Sequence, residues 1–257
     1  MINHAVPIKE TLITIPQYIA TDIVSAVYDV GDFMKEEIAR LNLVSGNYKP
    51  GLFWSKLNTN VIQATGSFDC DSVIVKAGYH EFLLVEHKGV ALAFMRETRF
   101  ADVSTDVKTK GKLSYQNLLV QHLNSAFEAE VSQMSLFPVQ EYDNNEVLER
   151  LGKLFRNAQG CMDGVGCYVM VLFDTDSFYT LRRIKAVLVD SNFDIVEEQD
   201  WSNLINLKVP AIVEKVSDTA SPSNNPFRGL SLSPKALARK SLQNGFSTNA
   251  DKAPEKD

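Results

Sequence analysis

The stretch VIVKAGYHEFLLVEHKGVALAFMR, residues 73–96, decides the fold class. Val73, Val75 and Ala77 recur at every second position, the period of a strand with one buried face. Residues 81–86 and 90–96 are two further apolar runs of strand length, and His87-Lys88-Gly89 between them is a tight hairpin turn. The three runs read as an antiparallel meander. A second group of strands lies downstream. Residues 167–173 form a continuous apolar run, which indicates a central strand covered on both faces. Residues 181–189 and 195–198 flank Asp190-Ser191-Asn192-Phe193, a hairpin loop. Strands grouped in this way and separated by helices indicate an α+β fold, with an antiparallel sheet or sheets of about six strands, not a doubly wound one.

The helices surround these groups. In residues 16–41 the apolar side chains Ile19, Ile23, Val27, Val30, Met34, Ile38 and Leu41 follow one another at gaps of three and four, which is helical spacing. Pro16 suits a first helical position, and Gly31 is the weak point, costing about 1 kcal/mol relative to alanine. This long apolar stripe must cover a sheet or meet a partner helix, so it is also the candidate surface for a homodimer. Three shorter helices are expected. One spans residues 52–64, with Trp54, Leu57 and Val61 on one side, after loop chemistry at Ser45-Gly46-Asn47 and Lys49-Pro50-Gly51. One spans 113–127, with Leu118, Leu119, His122 and Leu123 facing the core. The last runs from a cap at Asn144 or Asn145 to about residue 157, with Val147, Leu148, Leu151, Leu154 and Phe155 inward. Gln159-Gly160 stops it, and residues 200–205 make a short terminal helical turn.

The chain has 257 residues and a net charge of −6, with 26 Lys+Arg against 32 Asp+Glu. That balance argues against a generally basic nucleic-acid binder. No apolar run reaches the ~20 residues of a membrane helix, and the N-terminus lacks the pattern of a secretory signal. Three cysteines, Cys70, Cys161 and Cys167, form no C-x-x-C pair and no disulfide framework, which fits a reducing cytosol. Residues 1–216 read as a single α+β domain. Residues 217–257 are rich in Pro, Ser and Asn and read as a disordered tail. Within it, residues 226–242 carry Arg228, Lys235, Arg239 and Lys240 with no acidic residue, beside Phe227, Leu230, Leu232, Leu237 and Leu242. Such a segment can fold on a protein partner, with Phe227, Arg228, Leu237 and Arg239 as its contacts.

Catalytic motifs are sparse. Asp71, Glu86 and Lys88 have the spacing of a PD-(D/E)xK nuclease, in which two carboxylates hold Mg or Mn and a strand-borne lysine orients the attacking water. Against this, Lys88 falls in the predicted turn, and Cys70 stands where a proline is expected. Residues 171–176, VLFDTD, resemble the first motif of haloacid-dehalogenase phosphatases, but an antiparallel hairpin follows and Ser177 replaces the usual glycine. His4, His80, His87 and His122 show no zinc spacing, and His122 reads as a core histidine. Cys161 and Cys167 have no adjacent base. The remaining cluster is Phe94-Met95-Arg96-Glu97-Thr98-Arg99-Phe100, with Arg182 and Arg183 on a later strand. Arginines among aromatic residues recognise nucleic acid or anchor a protein interface, and the acidic net charge favours protein. Arg96 and Arg99 are therefore partner-binding candidates.

ALAFMRETRF (residues 91–100), LRRIKAVLVDSNFDIVEEQDWSNLI (181–205) and NYKPGLFWSKLNTNVI (47–62) resemble an uncharacterised family of bacterial proteins found in plasmid, prophage and chromosomal contexts. The resemblance implies a bacterial or phage cytosolic origin and no activity. The expected function is thus a non-enzymatic interaction or regulatory protein with a protein partner and no cofactor, for example one controlling a toxin or a phage-defence effector. The alternatives are the metal-dependent nuclease and nucleic-acid binding without cleavage.

Overall fold

The apolar runs join into one six-stranded sheet in a computed structural model of the chain, which describes residues 11–207 apart from 79, 111–112, 128, 130–142 and 156–162. Residues 226–242, Gln159-Gly160 and Cys161 lie outside the described residues, and with them Phe227, Arg228, Leu237 and Arg239. The strands are β1 (Asp71–Ala77), β2 (His80–His87), β3 (Val90–Arg96), β4 (Cys167–Thr175), β5 (Leu181–Val189) and β6 (Ile195–Asp200). They lie side by side in chain order. The fold is α+β, as the grouping of strands implies.

One joint differs from the expectation of antiparallel strands throughout. β3 and β4 pair in parallel, with Val90 opposite Cys167 and Arg96 opposite Phe173. All other neighbours are antiparallel. A parallel pair requires the chain to return to its starting end through a crossover, and residues 97–166 supply one. That crossover carries α3 (Glu97–Lys110), α4 (Tyr115–Leu123) and α5 (Asn144–Leu154) over one face. α1 (Gln17–Leu41) and α2 (Lys49–Thr65) cover the other.

Two cores follow from the alternation of side chains along each strand. Leu83, Val85, Leu92, Phe94, Val169, Val171 and Phe173 meet α1 and α2. Phe82, Leu84, Ala91, Ala93, Tyr168, Met170 and Leu172 meet α3, α4 and α5. β4 is buried on both faces from Cys167 to Phe173, which explains its unbroken apolar run. Among the described residues no helix is long and apolar enough to cross a membrane.

The predicted stripe of α1 is real, but the chain's own sheet and α2 consume it. Ile19, Ile23, Val27, Val30 and Met34 are all buried. Those five side chains are therefore not open to a second copy, whereas Ile38 and Leu41 at the end of the stripe are half-buried. Gly31 is no weak point either. A Cβ at that position would collide with the carbonyl oxygen of Tyr179, so glycine permits the closest approach between α1 and the β4–β5 turn.

Other boundaries shift for local reasons. Lys49-Pro50-Gly51 is not a loop but the first turn of α2, where proline's missing N–H is harmless. Asp143, not Asn144 or Asn145, caps α5 by accepting the Asn145 N–H at 3.0 Å. Leu148 faces outward at 54% exposure, whereas Val147 and Leu151 are buried. His122 is exposed and not in the core. A buried polar residue close to it is Asn124, immediately after α4. Its amide donates to the carbonyls of Tyr168 (2.8 Å) and Val189 (2.9 Å), and its oxygen accepts the Tyr168 N–H at 2.8 Å. α3 is a helix that the apolar pattern does not announce, because Val103 is its one buried residue.

Replacing Gly31 by alanine improves helix propensity by about 1 kcal/mol but drives a methyl into backbone that cannot yield. A net destabilisation of about 1–3 kcal/mol is expected from overpacking. Urea unfolding of Gly31→Ala against wild type measures it, and a stabilised variant would contradict the tight approach.

Candidate functional site

Parallel pairing sets the carboxyl ends of β3 and β4 side by side. β3 finishes at Arg96 and passes directly into α3 at Glu97, while β4 finishes at Thr175. On the α1–α2 side, Arg96 Nη1 donates to Thr175 Oγ1 at 2.9 Å. Its guanidinium lies over the Phe53 ring, 4.6 Å from the centroid, and 5.8 Å from that of Phe173. These rings form a connected frame. Phe53 stacks with Phe173 at 5.8 Å and with Tyr179 at 6.0 Å. Half-buried Trp54 stands edge-on to both Phe53 and Phe173. Burial lowers the Arg96 pKa, against the smaller opposing effects of Tyr179 and Asp174. Among the described residues no carboxylate lies within ion-pair distance of Arg96.

Three other cations at this end are paired. Arg183 Nη2 reaches Glu97 at 2.8 Å, and Lys185 Nζ lies 3.4 Å from Glu97 and 2.8 Å from Glu198. Burial alone would depress the Lys185 pKa, but Glu198 and Glu97 outweigh it and hold it raised. Arg182 pairs with Asp176 at 2.6 Å. Arg99 is exposed on the first turn of α3. Arg183 is thus tied to Glu97, the residue after Arg96, and Arg182 to the Asp176 turn, whereas Arg99 acts on Tyr115 of α4 and is not joined to the other arginines; beside Arg96 the structure adds Phe53, Trp54 and Tyr179, which no sequence pattern connects with it. A Phe-Trp pair followed by a distant Phe-Tyr in a turn carries no spacing signal, so only the packing reveals the frame.

The turn beside this frame, from Asp176 to Thr180, is clamped by a single carboxylate. Asp176 Oδ1 accepts the N–H groups of Phe178 and Thr180, both at 2.9 Å. Tyr179 has a left-handed backbone, φ 64°, and Phe178 is left 71% exposed. The Asp174-Thr175-Asp176 run thus ends a strand and starts an antiparallel hairpin, with Asp176 committed to the turn.

Asp71, Glu86 and Lys88 sit at the opposite end of the sheet. Asp71 and Glu86 are direct neighbours across the β1–β2 pair. Lys88 and Gly89 form the two-residue turn between β2 and β3, with φ of 47° and 84°, the pairing of positive angles that a tight hairpin prefers. Glu86 Oε1 accepts the Gly89 N–H at 2.6 Å and so folds onto the turn. Next to it, buried His87 donates from Nδ1 to the Asp69 carbonyl at 2.9 Å. Among the described residues no group of three or more His, Cys, Asp or Glu side chains could hold a metal ion. Burial, with Glu197 as a lesser cause, pushes the Cys167 thiol up to about 11, which makes it a poor nucleophile.

A groove of about 580 Å³ runs between α1 and α2. Asp22, Asp29, Asp32 and Glu36 line it from α1, with Lys56 and Asn60 from α2. Lys56 lies 4.9 Å over the Phe33 ring, and Asn60 donates to the Ala26 carbonyl. Its chemistry is that of a solvated acidic seam between packed helices.

The hydrogen bond from Thr180, then Arg182 and the Phe178 N–H, hold the Asp176 carboxyl below its ordinary range against the cost of burial. A depressed carboxylate pKa contributes stability above the unfolded value and loses it as pH falls through the folded one. The amides of Phe178 and Thr180 are therefore expected to titrate together, with a midpoint below the ordinary aspartate range, in NMR shifts followed against pH. Asp176→Asn should remove both transitions. Amides that stay flat down to acid unfolding would rule out the clamp.

No curated protein and no solved structure matches the chain. Residues 12–248, which span all the strands and helices described above, match the family of unknown function DUF5986, and the chain belongs to that family.

Proposed function

We propose that this protein is a non-enzymatic protein-binding module whose contact surface is the carboxyl end of the β3–β4 pair. The observation that carries this reading is the frame of Arg96, Trp54 and Tyr179 beside the exposed ring of Phe178. Arginine, tryptophan and tyrosine are the residues on which binding energy concentrates at protein interfaces. They are held here by packing and by the Asp176 clamp, so little rotamer freedom remains to be lost on association. Arg99, exposed on α3, belongs to the same end of the sheet. A net charge of −6 favours a protein over a nucleic acid as the partner. Control of an effector protein, such as a toxin or a phage-defence enzyme, is the regulatory form this activity takes. The free thiol of Cys70 and the buried thiol of Cys167 are consistent with work in a reducing cytoplasm.

Phe178→Ser and Arg99→Glu change exposed side chains, and each should alter stability by no more than about 0.5 kcal/mol. Affinity capture from an extract of the native host, quantified by mass spectrometry, is expected to recover a stoichiometric protein with the wild type. The double variant should lose it, and Lys88→Asn in the exposed turn at the opposite end of the sheet should keep it. Equal recovery by the double variant would refute the surface, and no stoichiometric partner at all would refute the reading.

A further inference from the structure

Arg96 is the half-buried cation at this end of the sheet that has no carboxylate within ion-pair distance among the described residues; Arg99 has none either, but it is exposed to solvent. Arg182, Arg183 and Lys185, within the same few strands, each hold one. Arg96 instead spends one N–H on Thr175 Oγ1 and lays its guanidinium over Phe53 and Phe173. Among the described residues, the buried side-chain atoms without a hydrogen-bond partner are His87 Nε2, Gln116 Oε1 and Tyr168 OH. The remaining Arg96 donors are not among them, so they reach solvent from a half-buried position. Covering this end with another protein would strip away that water. A desolvated cation with no carboxylate within ion-pair distance is unfavourable, so the surface favours a partner that brings an anion.

We infer that Arg96 is the seat of a single carboxylate supplied by the protein partner, an acidic side chain or a chain terminus set beside an apolar residue. The inference rests on the protein-binding reading above and specifies its chemistry. A carboxylate matches the planar guanidinium fork, which offers paired N–H donors to two oxygens. Cation–π contact with Phe53 and Phe173 fixes the plane of that fork before the partner arrives. The aromatic frame gives the residue beside the carboxylate an apolar neighbour. A phosphate dianion suits the place less well. Asp174 lies near enough to act on Arg96, and Glu97 follows it in the chain. Their charge is tolerable to a monoanion paired with Arg96 and repels a dianion more strongly.

The test uses the full chain, ¹⁵N-labelled, and reads the Nε–Hε cross-peak of Arg96. Its assignment comes from the peak's disappearance in Arg96→Lys, or from triple-resonance spectra should that variant fail to fold. Acetate, inorganic phosphate and chloride are titrated at matched ionic strength. A saturable shift with acetate that exceeds those with phosphate and chloride is expected. A larger response to phosphate would overturn the carboxylate in favour of a phosphate-bearing partner. Equal responses to all three anions, or none, would overturn the site. Capture lost in the Phe178→Ser and Arg99→Glu double variant without any acetate response would leave the binding surface standing and remove the carboxylate. With the partner in hand, Arg96→Lys should weaken capture roughly tenfold, the loss expected on removing an interface anchor.

Discussion

The parallel pairing of β3 with β4 is the constraint on which the rest of this molecule depends. Two meanders, each self-sufficient in its turns, would otherwise be separate three-stranded sheets with two exposed edges apiece. Joining them in parallel forces the chain from Arg96 back to Cys167, and residues 97–166 must travel the full length of the sheet. That return lays α3, α4 and α5 on one face, and α1 with α2 takes the other. Central strands covered on both faces must be apolar at every position, which is what β4 shows. The same register sets Arg96 beside Thr175 and so creates a place where a half-buried cation without an ion-pair partner meets an aromatic frame.

Each layer is then fastened by a polar contact that the core cannot replace. Asn124 ties the end of α4 to β4 and β5 with three buried hydrogen bonds. Its loss would orphan a buried N–H and two carbonyls, each at a cost of about 1–3 kcal/mol. On the opposite face, Gly31 lets the β4–β5 turn press against α1, and that contact holds the Tyr179 ring in line with Phe53. At the sheet edge, Glu197 accepts the N–H groups of Leu12 and Ile13, while Gln199 donates to the Ile13 carbonyl. The segment leading into α1 thus lies against β6, and part of that edge is engaged by side chains in place of another strand.

The legible part of the fold is the part that periodicity reports. Ile19 to Met34 announce α1 because a helix buried on one side repeats its apolar residues every three or four positions. His87-Lys88-Gly89 announces its hairpin because a two-residue turn needs positive φ, and glycine permits it. α3 escapes because one buried valine and a solvated polar surface leave no stripe to read. His122 and Leu148 are misplaced because apolar spacing marks a helix face without saying where packing ends. Of the candidate site, the arginines are visible as a cluster, since Arg96 and Arg99 are close in sequence and Arg182 and Arg183 follow as a pair. The frame around Arg96 is not visible, since Phe53, Phe173 and Tyr179 come from three elements far apart in the chain.

Sequence alone therefore determines the strands, those helices that bury an apolar stripe, where the hairpins turn, and that the fold is α+β with a net acidic charge. These are local properties, set by backbone propensity and by the alternation of apolar and polar side chains. Only the tertiary structure decides that β3 and β4 run in parallel, because burial on both faces looks the same whichever way a neighbouring strand points. It alone decides that Arg182, Arg183 and Lys185 find carboxylates while Arg96 does not. Charge pairing depends on distances across the sheet, and no spacing along the chain encodes them.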